Sequence, residues 1–432
     1  MAVQGQCPCG ALERGGEQFR LKTSYGHLAM TVTYEQALSI VQRRIDGAKP
    51  RARTENLPLH QARGRVLAED VTADRDLPPF HRAIRDGYAL RTADLTALPA
   101  VLRCVGEVPA GRSFGAEVNS GQCVSIMTGA PLPAGADAVV MVEHTRSLGD
   151  DIEIAQSVRP WENVVLQGSE AALGARILSQ GRRLWAAEIG LLAMVGKSAV
   201  AVFLQPRVAI LPTGDEVVPV EQRPQWFQIR NSNAMTLAAQ ITAAGGVPVQ
   251  LGIAPDRKDA LREMIEQGLE SDLLLLSGGV SMGKFDLVEE VLAEMGAEFF
   301  FQGVAIRPGK PLVFGRVRGR FFFGLPGNPV STFVTFELFV RPALEMLGAS
   351  AFEPPVFLRA RLNKPCRVKT GLTTFMPARV SVQNRDPVVE LVGWQGSGDL
   401  VGIAAANCFL VIHPDQTEFM PGEWVDIMPK GQ

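Results

Sequence analysis

Residues 273–286 read LLLLSGGVSMGKFD, four leucines followed by a loop rich in glycine and serine that leads into a helical pattern. A short apolar run that ends in a glycine turn is typical of a buried strand in a parallel sheet. Glycine lets backbone N–H groups approach an anion closely, and the helix N-terminus adds a positive partial charge. The loop is therefore predicted to bind phosphate, with Lys284 as the counter-charge; a plain turn with a solvated lysine is the alternative. The candidate phosphate-binding residues are Ser277, Gly278, Gly279 and Ser281.

The same alternation of strand and helix extends to both sides of this loop. The candidate strands are Val208–Leu211, Val247–Ile253, Leu273–Leu276 and Phe321–Leu325. The candidate helices are Asn233–Ala244, Asp259–Leu269, Leu287–Met295 and Val330–Leu347, with Asn233 expected as a cap. This alternation predicts an α/β domain with a parallel sheet. Ligands of such sheets bind beyond the carboxyl ends of the strands.

Two adjacent carboxylates, Asp215 and Glu216, follow the first of these strands. Carboxylate oxygens at a binding edge suit Mg²⁺, which proteins commonly share with substrate phosphates. Asp286, at the end of the glycine-rich loop, is expected at the same edge, where it would complete a metal site. A solvated turn closed by an aspartate side chain is the alternative interpretation.

Two further segments carry groups that suit an oxyanion. Between a strand and a helix, Asn328 and Ser331 fall where a helix N-terminus is expected, and capping alone would also explain them. Just upstream, residues 307–311 read Arg-Pro-Gly-Lys-Pro, so an arginine and Lys310 lie on a segment stiffened by proline. A purely structural turn is again the alternative.

The other segments lack the α/β pattern, so we expect a multidomain α/β plus β protein. A capping box at Thr33 and Gln36 opens the first helix, and short strands between Gly and Pro predict β-rich regions on either side of the α/β domain. The predicted domains are a disordered extension over 1–30, a discontinuous mixed domain over 31–72 plus 153–205, an inserted small β-rich domain over 73–152, the central parallel-sheet α/β domain over 206–350 and a C-terminal β domain over 351–432.

Composition limits the classes of partner. The 432 residues exceed the roughly 250 to 300 that one hydrophobic core accommodates. Lys and Arg number 43 against 45 Asp and Glu, so no large field of one sign would attract nucleic acid or an anionic membrane. We therefore expect a small-molecule ligand, with neither a nucleic acid nor a membrane as partner.

Targeting and redox signals point to the cytoplasm. Charged residues interrupt the first thirty positions, which leaves no continuous apolar segment of the signal-peptide type. Cys7 and Cys9 form the one cysteine cluster, a weak metal signal that is better explained as a reduced pair. The other four cysteines have no zinc-type spacing, so a reducing compartment is expected.

In their order and spacing, the α/β loops resemble the molybdopterin molybdenumtransferase family, known as MoeA and as the E domain of gephyrin. The resemblance covers nearly everything from Thr31 onward. Further motifs that carry it are RDGYA at 85–89, MTGAP at 127–131, GADAVV at 135–140, GSGD at 396–399 and AN at 406–407.

The resemblance implies a homodimeric transferase that converts adenylylated molybdopterin and molybdate into molybdenum cofactor and AMP, assisted by Mg²⁺. Molybdopterin nucleotide is the implied ligand, and other molybdenum-cofactor assembly proteins are possible partners. The inserted β domain of one subunit would face the α/β domain of the other. Implied metal ligands are Asp215, Glu216 and Asp286, and implied catalytic residues are Asp86, Thr128, Glu216 and Asp286. Implied substrate-binding residues are Ser277, Gly278, Gly279, Ser281, Lys284, Lys310, Pro311, Asn328 and Ser331, of which Lys310 and Ser331 would hold molybdate.

Three stretches depart from the family pattern. The usual Asp-Asn-Ser-Ala-Met before Asp-Gly-Tyr is His-Arg-Ala-Ile-Arg at 81–85, and Asn231 replaces the aspartate of Asp-Ser-Asn. The usual Asn-Ile-Arg-x-x-Gly-Glu-Asp is NVVLQGSE at 163–170, so Val165 replaces an arginine. These departures leave room for a non-catalytic relative that binds molybdopterin nucleotide or acts as a scaffold. On fold alone, a different nucleotide hydrolase is a third interpretation.

Overall fold

The computed structural model describes residues 20–22, 28–48, 53–278, 287–369 and 371–431. The chain divides into two compact units, one of Met1–Thr54 with Phe203–Gln432 and the other of Glu55–Val202. Most of the predicted extension, including Cys7 and Cys9, lies outside the described residues. The described part of it is an antiparallel pair of strands, Arg20–Lys22 and Leu28–Met30.

The larger unit is built on a six-stranded sheet. In spatial order its strands are Val247–Gln250, Arg207–Pro212, Leu273–Ser277, Arg320–Leu325, Val313–Val317 and Glu298–Gln302. The first four run parallel, as predicted. The fifth, Val313–Val317, runs antiparallel to both of its neighbours, so the sheet is mixed at this edge. The cause is a two-residue hairpin at Arg318 and Gly319, whose φ angles of 48° and 81° suit the tight turn between antiparallel strands.

Helices cover both faces of this sheet, because the central strands are apolar on both sides. Leu273 and Leu275 enter one core, and Leu274 and Leu276 enter the other. The helices are Ser232–Ala243, Lys258–Gly268, Leu287–Glu294, Pro329–Thr335 and Arg341–Leu347, the last two joined by the π-helical turn Phe336–Val340. No helix in the described part of the chain combines the length and apolar character needed to cross a bilayer.

The first helix, Tyr34–Ala48, begins at the predicted capping box. The Thr33 N–H donates to Gln36 Oε1 at 3.0 Å, and the Gln36 N–H donates to Thr33 Oγ1 at 3.2 Å. Its buried face packs in the core of the larger unit, where the Tyr34 and Phe339 rings lie 5.8 Å apart. These apolar contacts are with the α/β core, although the predicted domain of 31–72 plus 153–205 includes this helix.

The C-terminal part of the larger unit is a closed β-barrel. Its strands in order are Thr373–Gln383, Asp386–Leu391, Leu358–Leu362, Trp424–Pro429 and Cys408–Ile412, and the last pairs back onto the first. The short strand Ile306–Arg307 extends this sheet, and Cys366–Arg367 pairs with Glu418–Phe419. A short helix, Leu400–Ala405, accompanies the barrel, and Asp399 caps it by accepting the Gly402 N–H at 3.0 Å.

The smaller unit contains a second six-stranded sheet with its own core. In order its strands are Thr145–Leu148, Asp151–Ile154, Ala100–Val108, Gln122–Ile126, Gly87–Leu90 and Ala138–Met141. Short strands pair outside it, namely Arg82–Ala83 with Val164–Val165, Val71–Thr72 with Arg176–Leu178, and Thr54–Pro58 with Ala199–Phe203. This unit also contains the helix Ala186–Met194.

Candidate active site

Three loops meet beyond the carboxyl ends of the parallel strands. Gly278 directly follows the strand Leu273–Ser277, and its N–H donates to Leu325 O at 3.2 Å in the neighbouring strand. Gly278 has a φ of 98°, and a methyl group there would lie 2.8 Å from Thr213 O. A methyl group on Gly327 would lie 3.6 Å from Gly278 Cα. Ser277, Gly278 and the predicted loops on either side therefore share one edge of the sheet.

The buried side chain of Thr213 has an unpaired hydroxyl at this edge. Thr213 Oγ1 forms no hydrogen bond with the described residues, and it lies 3.2 Å from the position that a methyl group on Gly278 would take. A buried hydroxyl without a partner is costly and calls for an explanation. The N–H groups of Gly327 and Asn328 also lack an acceptor in the described ranges. These groups suit a polar ligand that arrives from solvent.

Asn233 joins two of the loops through its side chain. Its Nδ2 lies 2.9 Å from Ser277 Oγ, 2.8 Å from Gly327 O and 3.4 Å from Thr332 Oγ1. The prediction that Asn233 caps its helix is wrong, because Asn231 is the cap and accepts the Ala234 N–H at 3.1 Å. Asn231, which stands where the family pattern has aspartate, therefore caps the helix, and the Asn233 side chain connects two loops that are far apart in sequence.

The carboxylates Asp215 and Glu216 are exposed on the turn after Arg207–Pro212. Asp215 Oδ1 accepts the Asp256 N–H at 3.1 Å, which brings a third exposed carboxylate to the same region. A methyl group on Gly214 would lie 2.6 Å from Glu216 Oε2, so the Glu216 carboxylate folds back over its own turn. Within the described residues no group of three His, Cys, Asp or Glu side chains is close enough to hold a metal unaided.

The segment 307–311 packs against the helix that follows the third loop. A methyl group on Gly309, which has a φ of 110°, would lie 2.5 Å from Thr335 Cγ2. Lys310 is half-buried and forms no ion pair or side-chain hydrogen bond with any residue in the described ranges. Its ammonium charge is therefore available to a ligand, whereas Ser331 on the neighbouring helix is buried.

In the smaller unit, Asp86 is bound to Thr128. Asp86 Oδ1 accepts the Thr128 N–H at 2.6 Å and the Thr128 hydroxyl at 2.8 Å. The N–H bond and then the hydroxyl bond hold the pKa of the Asp86 carboxyl below its usual value. Both bonds end on Oδ1, so Oδ2 of the carboxylate has no protein donor among the described residues.

Comparison with known proteins covers almost all of the chain. Family models match the MoeA N-terminal region (domain I and II) over residues 32–196, a probable molybdopterin binding domain over 209–346 and the MoeA C-terminal region (domain IV) over 359–430. The molybdopterin molybdenumtransferase of Nostoc sp. is 36% identical over 388 residues, which is 87% of this chain and 88% of that protein. This chain belongs to the molybdopterin molybdenumtransferase family.

Other members of the molybdopterin molybdenumtransferase family agree in sequence and in fold. The Staphylococcus aureus enzyme is 33% identical over 378 residues, 86% of this chain and 90% of that protein. The crystal structure of the molybdopterin biosynthesis MoeA protein from Pyrococcus horikoshii covers 92% of this chain and 100% of its own, with 31% identity and a TM-score of 0.77. The multidomain α/β plus β fold class predicted from the sequence is thereby confirmed.

The structure describes part of the predicted site. Ser277, Gly278, Asn328 and Ser331 lie on the two loops that Asn233 joins, or on the helix that follows the second loop. Asp86 and Thr128 lie together in the smaller unit. Asn328 is the N-cap residue by position, but its side chain makes no capping bond. The predicted residues Gly279, Ser281, Lys284 and Asp286 lie outside the described residues.

Sequence reasoning missed two residues at this edge, Thr213 and Asp256, and gave a third, Asn233, the wrong role. Thr213 lies just before the predicted Asp215–Glu216 pair and Asp256 lies between a predicted strand and a predicted helix, but a lone hydroxyl or carboxylate in a turn carries little signal. Asn233 was noticed and misassigned, because an asparagine near a helix start is most often a cap. Its partners Ser277 and Gly327 are 44 and 94 positions away, so local patterns do not reveal them.

Proposed function

We propose that this protein is a molybdopterin molybdenumtransferase that combines adenylylated molybdopterin with molybdate and releases molybdenum cofactor and AMP. The observation that carries the proposal is the meeting of the Ser277–Gly278, Gly327–Asn328 and Thr213–Glu216 turns at one sheet edge. Together they offer free N–H groups, an unpaired buried hydroxyl and exposed carboxylates, which are the groups that a diphosphate and its metal require. The curated relatives named above are transferases, which favours an enzyme over a non-catalytic scaffold.

In this proposal the substrate phosphates contact the N–H groups of Gly327 and Asn328 and the glycine-rich loop that begins at Ser277. Lys310 and Ser331 hold molybdate as a substrate, with Pro311 stiffening the segment that carries the lysine. Lys310 suits this role because no described carboxylate neutralises it. An ammonium group and a hydroxyl are ordinary ligands of a tetrahedral oxyanion.

The donor set fits Mg²⁺. Asp215, Glu216 and Asp286 are the proposed ligands; Asp215 and Glu216 are exposed, and Asp215 keeps Oδ2 free of protein donors among the described residues. Proteins usually hold Mg²⁺ with one or two carboxylates and complete its coordination with substrate phosphates and water. A bound Mg²⁺ would neutralise charge on the phosphate oxygens as the AMP group leaves.

Asp86 and Thr128 are proposed to complete the site from a second copy of the chain in a homodimer. The proposal also assigns the reaction to the cytoplasm, in keeping with the reducing compartment expected from the cysteines. Asp86 is suited to a catalytic role because Thr128 fixes its orientation while leaving one charged oxygen free.

The test is AMP release by the purified protein. With adenylylated molybdopterin and Mg²⁺, AMP should appear only after molybdate is added, and chelation of Mg²⁺ should suppress it. AMP release without molybdate would instead identify a nucleotide hydrolase. Nucleotide binding without AMP release under any condition would identify a scaffold, and either result would refute the proposal.

A further inference from the structure

The smaller unit contains a short ribbon on which two departures from the family pattern meet. The strands Arg82–Ala83 and Val164–Val165 pair antiparallel, with Arg82 directly opposite Val165 and Ala83 opposite Val164. The family pattern has an arginine at position 165 and an asparagine at position 82. This chain has lost the arginine at one position and gained one at the residue facing it across the ribbon.

Burial identifies the face on which both positions lie. Ala83 is buried and Val164 packs against the same apolar cluster, so this pair points inward. Side chains alternate between the two faces of a strand, so Arg82 and Val165 both point outward. Directly opposed residues of an antiparallel pair have Cβ atoms about 5 Å apart, a gap that a long arginine side chain spans.

The same ribbon is attached to the loop that carries Thr128. The Gly129 N–H donates to Ala83 O at 2.8 Å, and the Ala83 N–H donates to Ala130 O at 3.0 Å. Thr128 in turn holds Asp86. Hydrogen bonds therefore connect the ribbon to Asp86 and Thr128, the proposed catalytic pair.

We propose that Arg82 is a substrate-binding residue that replaces, from the opposite strand, the arginine missing at position 165. The inference rests on the proposed function and specifies one of its contacts, namely an oxyanion of the nucleotide substrate held by the Arg82 guanidinium. A guanidinium presents a planar fork of donors that matches phosphate oxygens, and moving it to the facing strand keeps its charge on the same surface.

The charge of Arg82 is available for this contact. Its ion pair within the described residues is with Glu170 at 3.7 Å, longer than a good hydrogen bond, and the two side chains are 41% and 51% exposed. Exposed pairs of this kind contribute little to stability, so the fold does not require Arg82 to stay with Glu170. The guanidinium can exchange this carboxylate for a phosphate.

The experiment removes the arginine at position 82 and then restores an arginine at position 165. Arg82→Asn should raise KM for adenylylated molybdopterin about tenfold or more while kcat stays within about threefold, because a contact made in the bound state is lost. The double variant Arg82→Asn with Val165→Arg should return KM to within about threefold of the parent. Arg103→Asn is the matched control, because Arg103 is an exposed strand arginine with a 3.5 Å ion pair to Asp150; it should leave both constants unchanged.

Two results would overturn the inference, an unchanged KM in Arg82→Asn or a double variant no better than Arg82→Asn alone. If the double variant does not fold, Arg82→Lys must retain a lower KM than Arg82→Gln, since it keeps the charge. These outcomes are distinct from failure of the proposed function. If the unaltered protein releases no AMP with molybdate, the proposed function is refuted. If it turns over normally and the Arg82 variants have the same KM, only this contact is refuted.

Discussion

The two regions that are proposed to form the site are specified in different ways. At the edge of the α/β sheet, backbone geometry fixes the residues, because Gly278 fits only without a side chain and Asn233 fills a position between two loops. On the ribbon of the smaller unit, strand pairing fixes which face a side chain occupies but not which strand supplies it. Apart from Asn231, the sheet edge therefore keeps the family pattern, whereas the ribbon tolerates changes such as Arg82 and Val165.

The largest effect is expected at Gly278. Gly278→Ala would force a methyl group against Thr213 O and impose a φ of 98° on a residue with a side chain. Because a shift of about 1 Å at a reacting centre costs about 100-fold, turnover should fall by about that factor in the AMP assay. Gly252→Ala is the control, since Gly252 has a φ of 92° but its nearest contact is 3.8 Å away. Equal losses in both variants would mean that close packing at Gly278 is unimportant.

A somewhat smaller loss is expected when the connection between the two loops is removed. Asn233→Ala leaves Ser277 and the Gly327 carbonyl without their common donor, so AMP release should fall by about 30-fold through misplacement of the loops. Asn231→Ala removes the helix cap and should destabilise the protein by about 1 kcal/mol while largely sparing turnover. Thermal unfolding and turnover, measured on both variants, separate the two roles. Similar turnover in both would refute the loop-connecting role of Asn233.

On the ribbon side, Asp86→Asn tests charge separately from hydrogen bonding. Both Thr128 bonds end on one oxygen, which an asparagine can also supply, so the fold should be kept with only a small decrease in melting temperature at neutral pH, while kcat falls about tenfold. The pKa of Asp86 is depressed, so the stabilisation from its charged form is present above the ordinary carboxyl value and is lost as pH falls through the lowered folded value. The stability difference between the two proteins should therefore disappear only in acid. A kcat equal to that of the parent would remove Asp86 from catalysis.

The smallest effect is expected at His81, where the family has aspartate. His81 Nδ1 accepts the Gln167 N–H at 3.0 Å, a role that a carboxylate oxygen can also fill, and its ring lies 5.1 Å from that of Trp161. His81→Asp should therefore change turnover by less than about threefold, the usual size of an effect at a tolerant surface position. A tenfold higher rate of AMP release by His81→Asp would mean that His81 lowers activity, and that no residue on the ribbon replaces the function of the family's aspartate.

Particular residues explain how much the sequence could predict. Four consecutive leucines at 273–276 predict a strand that is covered on both faces, and in the structure these leucines do enter two cores alternately. The capping box at Thr33 likewise predicts the start of its helix correctly. The antiparallel edge was missed because it depends on the hairpin at Arg318 and Gly319, a pair outside the common turn signals. The role of Asn233 and the pairing of Arg82 with Val165 depend on contacts over 44 to 94 positions, which no local pattern encodes.

The most direct test of the sheet-edge site is a crystal structure of the protein with AMP and Mg²⁺ bound. The account predicts that the phosphate accepts hydrogen bonds from the N–H groups of Gly327 or Asn328, beside the turn at Ser277 and Gly278, with Mg²⁺ on Asp215 or Glu216. A phosphate bound away from these three turns, with the nucleotide well ordered elsewhere, would contradict it.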